Sequence, residues 1–475
     1  MSANELEATL GRLRAAGQEH LLQYWSELNS DQRASLLQQI SAIDFDRLAA
    51  LWSSVEKLDP QDSPAAKAAR ATPPSKIVRV PRTEADHAAR AAARAIGEQL
   101  LREGKVGAIL VAGGEGSRLG FPHPKGMFPI GPVSGNSLYQ MLAEQLLARG
   151  RRSGRPIPYC VMTSDATDAP TQAFFQRHDW FGVDPADIRF FRQGIMPAVD
   201  RHTGKILLAR KHELALNPDG HGGMLEALHK SGTLDWLRER GVECLYYHQV
   251  DNPLARVCDP EFLGFHRQLG ASVTTKCVVK ATPQEKMGAL IDVDGKTEII
   301  EYSDLPKDQV ERLTPSNEAV FAAGSTAIHV FNRDVLEHLS ASGSELPFHR
   351  AVKKVKCLDE AGQPTEPTVE NAIKYERFIF DVLPLAGNGL VVEARRHDEF
   401  CPLKNATGEF SAEHVQRSLH ALHAGWLAEA GIDAGAAHPI EISPLVALGA
   451  DDLKNWKPKS PFPPGPLYLG PQANS

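Results

Sequence analysis

Cysteine is sparse in this chain: six among 475 residues, at 160, 244, 258, 277, 357 and 401. They show neither paired nor metal-type spacing, which argues against a disulfide framework and a structural zinc site. Most lie in apolar, strand-like runs, so buried thiols in a reducing cytosol are expected. No apolar run approaches the length of a membrane span, and the opening MSANELEATL lacks the basic and apolar segments of a signal peptide. A cytoplasmic protein without a membrane partner is the expectation. Positive charge is not in excess either: 52 Lys and Arg stand against 59 Asp and Glu, a net charge of −7. That excludes nucleic-acid binding through a broad basic surface. There is no internal repeat, no low-complexity tract and no signature of disorder, with 42% hydrophobic and 23% charged residues.

What is present exceeds one ordinary core, so two or three domains are expected. Residues 4 to about 55 read as helices, with apolar stripes Leu6, Leu10, Leu13 and Leu21, Leu22, Trp25, Leu28. Ser30-Asp31 is a plausible cap for a helix carrying Leu36, Leu37 and Ile40. Residues 59–82, rich in Pro, Ala and Ser, read as a linker strap. Strands at 106–112, 157–163, 187–191, 243–250, 327–331 and 389–394, with helices at 84–103, 137–149 and 224–239, then imply a mostly parallel sheet covered by helices on both faces. An antiparallel insert fits 271–302, turning at Asp294-Gly295. A helix from Ser411 to about Ala430 precedes a tail, KSPFPPGPLYLG, too rich in Pro to form a core.

The chain is organised around VGAILVAGGEGSRLGFPHPKGM, residues 106–127. An apolar strand breaks into a loop with Gly113, Gly114 and Gly116, which delivers Arg118 and, beyond two prolines, Lys125. Glycines let backbone N–H groups approach an anion and allow positive φ, while the two cations neutralise phosphate oxygens. The alternative is a plain glycine-rich turn with surface cations. Lys125 is followed by Gly126 and Met127, so this is no P-loop, and Gly114-x-Gly116 continues to Leu119, which fails the dinucleotide fingerprint. The stretch resembles the Gly-Gly-x-Gly-Thr-Arg-Leu-Gly…Pro-Lys motif of the sugar-nucleotide pyrophosphorylases, with Ser117 for the usual Thr. Its Pro-Lys-Gly-Met ending is similar to the UDP-sugar branch, above all the UDP-N-acetylhexosamine enzymes.

Further runs carry the same resemblance from about residue 16 to the ISPL segment at 442–445. FFRQGIMP, residues 190–197, resembles a run whose Gln, here Gln193, reads uracil, a task suited to an amide. PDGHGG, residues 218–223, is similar to a Gly-Asn-Gly-Gly loop; Gly220 would line the uracil pocket, and His221 stands where the family has the Asn on the sugar-phosphate side. YHQVDN, residues 247–252, ends a buried strand in an acid, Asp251, which the resemblance makes the Mg²⁺ ligand; read alone, an Asx-turn fits as well. IIEYS implies Glu301 and Tyr302 at the sugar hydroxyls. FAAGS departs from Phe-Asn-Ala-Gly-Asn, leaving Ala322 and Ser325. KYERFIFDVL implies Phe378 and Phe380 as walls of the sugar pocket and Lys374 at phosphate, though alternate strand residues face inward in any sheet. PLKNA supplies Lys404 as a second phosphate clamp, or a surface lysine.

The resemblance thus implies a nucleotide-diphospho-sugar transferase fold, GT-A or Rossmann-like, with a mixed sheet between helices. Its expected division is 1–80 for a helical N-terminal domain and strap, 81–400 for the catalytic core, and 401–475 for a small C-terminal domain and tail. It implies uridylyl transfer from UTP to a sugar 1-phosphate, N-acetylglucosamine 1-phosphate first, by a monomer or homodimer. Arg118 and Lys125 would meet the triphosphate, and Val111, Ala112, Gly113 and Gly114 the nucleotide. Two alternatives stand beside it: the same reaction on glucose or galactose 1-phosphate, suggested by His221, Ala322 and Ser325, and a non-catalytic UDP-sugar binder.

Overall fold

In the computed structural model, which describes residues 3–53, 61, 63–341, 346–458 and 461–471, the chain gathers into two units, neither of them continuous. The first comprises Met1–Ala66, Gln193–Met224 and Glu345–Asp381; the second comprises Lys67–Arg192, Leu225–Ser344 and Val382–Ser475. The grouping differs from the expected sequential division because apolar faces find partners far along the chain. Leu13, Leu21, Leu36, Ile40 and Leu48 of the N-terminal helices share one core with Val199, Leu208, Ile373 and Tyr375.

The second unit is built on one large mixed sheet. Its main path runs Ile77–Val78, Gly389–Glu393, Val273–Val279, Ala323–Asn332, Cys244–Gln249, Val106–Val111, Tyr159–Thr163 and Ile188–Arg192. All neighbours are parallel except those of Ala323–Asn332, which runs antiparallel between Val273–Val279 and Cys244–Gln249. Buried on both faces, Val106–Val111 and Tyr159–Thr163 read as near-continuous apolar runs, the pattern of a parallel strand covered on both sides. The helices Glu84–Arg102, Leu138–Ser153, Pro260–Gln268 and Ala412–Glu429 contribute to the same core. Thr83, Ser137 and Ser411 cap three of them through side-chain oxygens, satisfying orphan N–H groups of the first turn. Glu84–Arg102 and Pro260–Gln268 cross in backbone contact. A Cβ on Gly97 would stand 1.8 Å from the Pro260 carbonyl oxygen, and one on Gly264 1.7 Å from that of Ala93.

Several local expectations need correction. The segment 271–302 is not wholly an insert: Val273–Val279 is a strand of the main sheet, and only Ala289–Val293 and Lys296–Ile300 form the hairpin. Asp294 and Gly295 turn it with φ of 51° and 79°, the pair of positive values that a tight hairpin requires. The 224–239 helix is two helices, Met224–Lys230 and Thr233–Glu239, parted at left-handed Gly232. Asn29, not Ser30, caps Ser30–Ser41, in a reciprocal capping box with Gln32. The expected strap contains the helix Pro64–Arg70 and the strand Ile77–Val78, while 54–60 and 62 lie outside the described residues. The Pro-rich tail does join a core. Gly465–Leu469 pairs in parallel with Ala437–Ile442, and Leu469 is buried beside Leu427 and Ile440. All six cysteines are buried and free. Among the described residues no helix is long and apolar enough to cross a membrane.

Candidate active site

In an open parallel sheet, ligands bind beyond the carboxyl ends of the strands. Here that edge of the second unit collects Val111 to Gly114, Ser164 and Asp251. The antiparallel strand brings its amino end to the same edge, since Val279 faces Ala323 and Cys277 faces Ser325. Reversing one strand is what places Ser325 among strand ends.

The glycine loop is pinned from below. Ala112 N–H donates to the Met162 carbonyl at 2.8 Å, and Ser164 Oγ donates to the Gly113 carbonyl at 2.9 Å. Lys125 N–H closes the loop onto the Gly114 carbonyl at 3.1 Å. Gly113, Gly114 and Gly116 do not use left-handed backbone; within this stretch only Gly120 does, at φ 68°. The missing side chain matters for packing at Gly116 and leaves open space at Gly114. At Gly114 a Cβ would meet nothing within 4 Å, whereas at Gly116 it would lie 2.7 Å from the Phe121 carbonyl oxygen. The glycine of Pro-Lys-Gly-Met also has a packing reason, because a Cβ on Gly126 would enter the Tyr139 ring at 2.2 Å.

Lys125, Asp251 and the Lys404 segment meet at one junction. Lys125 Nζ lies 3.7 Å from the Asp251 carboxylate and donates to the Leu403 carbonyl at 3.0 Å. Leu403 N–H donates to the Asp251 carbonyl at 2.7 Å. Lys404 is exposed beside this contact, and Arg118 is exposed with no ion pair among the described residues. Further along the edge, Ser325 N–H donates to the Gly288 carbonyl at 2.9 Å, and a Cβ on Gly288 would stand 2.9 Å from Glu301 Oε1. Glu301 and Ser325 are therefore neighbours across Gly288, and Tyr302 is exposed. Lys125 beside the Asp251 carboxylate, with exposed Lys404 one residue beyond the Leu403 tie, on a glycine-lined strand edge, can hold a polyphosphate and neutralise charge that develops on it.

The junction also tests whether Mg²⁺ fits. Among the described residues no three His, Cys, Asp or Glu side chains converge as a metal cage. A single carboxylate suits a hard cation that takes its remaining ligands from phosphate oxygens and water. The donor chemistry fits.

The first unit holds the other predicted residues. Gln193 is buried, and its amide makes no hydrogen bond among the described residues. Its neighbour Gly194 closes on Asp219, whose N–H donates to the Gly194 carbonyl at 3.0 Å. Asp219 is salt-bridged to buried Arg377, whose N–H donates to the Asp219 carbonyl at 2.7 Å. Gly220 sits at φ 85°, where a Cβ would lie 2.4 Å from the Arg377 carbonyl oxygen, so only glycine fits. His221 stands among rings, 5.4 Å from Phe378 and 5.9 Å from Phe380, which stack on each other at 5.0 Å. Burial, with His349 adding to it, lowers the His221 pKa to about 4. The ring is thus neutral, and its Nδ1 accepts from Ile379 N–H at 3.1 Å, which leaves the proton on Nε2. Lys374 is half-buried on Ala372–Arg377, and burial lowers its pKa.

Three participants escaped the sequence reading. His349 packs 4.6 Å from Phe378 and pairs with Asp381 at 2.8 Å. Asp219 anchors the loop that carries Gly220. Asn252, one residue beyond Asp251, is buried; the Val-Asp-Asn triplet was its available signal.

The UDPGP family model, described as UTP--glucose-1-phosphate uridylyltransferase, matches residues 61–457. The chain belongs to the UDPGP family. A human relative, UDP-N-acetylhexosamine pyrophosphorylase-like protein 1, is 36% identical, with 93% of each chain covered. The UDP-N-acetylglucosamine pyrophosphorylase of Saccharomyces cerevisiae is 34% identical over 77% of this chain and 78% of its own. Among solved structures, the uridine diphosphate N-acetylglucosamine pyrophosphorylase of Trypanosoma brucei, in complex with inhibitor, aligns over 99% of both chains with a TM-score of 0.83 and 26% identity. The UDPGP family assignment accords with the expected fold, a mixed sheet flanked by helices.

Proposed function

We propose that the protein is a uridylyltransferase that joins UTP to a sugar 1-phosphate, N-acetylglucosamine 1-phosphate first, releasing pyrophosphate and a UDP-sugar. The observation that carries this reading is the junction of Lys125, Asp251 and the Leu403-Lys404 segment at adjoining strand ends, in a chain of the UDPGP family. A phosphate oxygen of the sugar 1-phosphate attacks the α-phosphorus of UTP. The bond from that phosphorus to the bridging oxygen breaks, and pyrophosphate leaves with the electron pair. No proton need move, because a phosphate monoester with a second pKa of about 6 is already dianionic at neutral pH. The work is in-line positioning and charge neutralisation.

Arg118 and Lys125 are assigned to the triphosphate, Lys404 and Lys374 to the sugar phosphate, and Val111 to Gly114 to the nucleotide. Asp251 would hold Mg²⁺, which when bound supplies positive charge to the phosphate oxygens. Gln193 and Gly220 are assigned to uracil. His221, as an Nε2–H donor, is assigned to the sugar side with Glu301, Tyr302, Ser325, Phe378 and Phe380. A cytoplasmic setting is supported by six free, buried thiols, and a monomer or homodimer is proposed. A second reading, transfer to glucose or galactose 1-phosphate, is favoured by the His at 221 and the short Ser325.

The test is pyrophosphate release from UTP and Mg²⁺ across N-acetylglucosamine, N-acetylgalactosamine, glucose and galactose 1-phosphates. Acetamido sugars should lead, and Lys125→Ala should lower the rate by roughly 10²–10³, as removal of one oxyanion donor does. A lead for plain hexoses supports the second reading, and no release with any sugar sinks both.

A further inference from the structure

Lys404 is useful only if the loop bearing it is held at a fixed height above Asp251. One direct tie joins them, from Leu403 N–H to the Asp251 carbonyl, and a second runs through Lys125, whose Nζ donates to the Leu403 carbonyl and faces the Asp251 carboxylate. Both bind the loop at its end. Its beginning is held by several side chains, Lys276 and Arg256 on the Glu399 carboxylate and Ser418 on Cys401 Sγ, but Asn252 is the one that joins its backbone to the Asp251 strand end. Asn252 is 3% exposed; its Nδ2 donates to the Glu399 carbonyl at 2.7 Å, and its Oδ1 accepts from Cys401 N–H at 3.2 Å. The two contacts fix the amide's orientation, since one neighbour is a pure acceptor and the other a pure donor. A carboxylate or an aliphatic side chain cannot satisfy both, and an alcohol would have to serve both from a single oxygen. The segment is braced a second time from beneath, where the Glu399 carboxylate is salt-bridged to Lys276, itself 2% exposed.

We infer that Asn252 is a positioning residue of the transfer reaction: its amide staples residues 399–401 to the strand end that carries Asp251, and so sets the place of Lys404 against that carboxylate. The inference rests on the reading of Lys404 as a phosphate clamp. It makes the Asp251-Asn252 pair a unit with two tasks, the first residue facing the charge and the second fixing the loop that answers it.

A double-mutant cycle in the full-length enzyme tests it, with kcat and KM for UTP measured for wild type, Asn252→Ala, Lys404→Ala and the pair. Displacing the loop by about an ångström should cost Asn252→Ala roughly 10- to 100-fold in kcat. Its KM for UTP should stay within about twofold, the pattern of an interaction felt in the transition state. Residues acting as one unit are non-additive, so the double variant should match Lys404→Ala alone. A general loosening of the fold would instead multiply the two losses. Multiplied losses, or an Asn252→Ala kcat within about twofold of wild type, overturn the inference. An unimpaired Lys404→Ala overturns the reading of Lys404 first, which separates the two failures. Should Asn252→Ala not fold, Asn252→Asp carries the same cycle, because it keeps shape and the Cys401 contact while losing the donor to Glu399.

Discussion

The two units meet their tasks with opposite materials. In the second, charge is held by charge: Lys125 beside Asp251 at the strand edge, and beneath it Lys276 with Asp259 and Glu399. Burial alone would raise the Asp259 pKa, yet Arg256 and Lys276 hold it well below the usual carboxylate range. Burial likewise opposes the Lys276 charge, and Glu399 and Asp259 reverse the effect. In the first unit the predicted contacts are mostly rings and a neutral imidazole, with the Arg377–Asp219 pair kept inside the loop anchor and Lys374 as the predicted cation. A phosphate group asks for fixed full charges, whereas a base or sugar asks for shape and for single donors and acceptors. Most of the proposed contacts follow that division; Lys374 of the first unit, assigned to phosphate, and Glu301, Tyr302 and Ser325 of the second, assigned to the sugar, depart from it.

The comparison can be broken where its largest energies sit. Lys276→Ala removes from two buried carboxylates the cation bonded to both and leaves them Arg256 at 4.0 Å, and loss of one partner from a buried pair costs roughly 3–5 kcal/mol. Denaturant unfolding should show that loss, and an unchanged midpoint would mean that the charge cluster does not hold the second unit together. Acid provides a smaller, graded probe. Burial lowers the pKa values of His248, His266 and His423 in the second unit to about 3, 4 and 4, and lowers His420 as well. The first unit has His221 at about 4 and a lowered His20. For each, the folded pKa lies below the ordinary value of 6.5, so the unfolded chain takes up the proton first. Stability is full above pH 6.5 and declines as pH falls toward 4, with each fully neutral histidine adding up to about 1.4 kcal/mol per pH unit to the slope. Hydrogen exchange between pH 6.5 and 4 should therefore loosen the second unit more; equal loosening would contradict the assignment. The smallest effect concerns sugar choice. Ser325→Asn should shift the ratio of kcat/KM for N-acetylglucosamine and glucose 1-phosphates by about 2- to 10-fold, the scale of one hydrogen bond. An unmoved ratio would remove Ser325 from the sugar side.

Much of the fold is legible in the sequence because parallel strands buried on both faces leave unbroken apolar runs, as at 106–112 and 243–250, and Asp-Gly marks its hairpin. Val273–Val279 was misplaced for a physical reason: VTTKCVV carries a lysine at its centre, which reads as a solvent edge unless its partners are known. Those partners, Asp259 and Glu399, lie 17 and 123 residues away. The candidate site divides the same way. Lys125, Asp251 and Lys404 could be picked out as motif residues, but the loop ties of Asn252 span 147 and 149 residues, and no local pattern announces them. His349 and Asp381 escaped for the same reason.

The first unit draws on residues before Ala66 and on residues up to Asp381, and this sets a schedule for synthesis. The N-terminal helices emerge early, yet the strand that carries Ile373 and Tyr375 follows only about 300 residues later, roughly 15 to 60 seconds at ordinary translation speeds. For the first part of that interval Leu13, Leu21, Leu36 and Ile40 lack Val199, Ile206, Leu208 and Leu214, and for all of it they lack Ile373 and Tyr375. A chain so arranged waits with an open apolar face, and the ribosome-bound intermediate is where a chaperone would find its client.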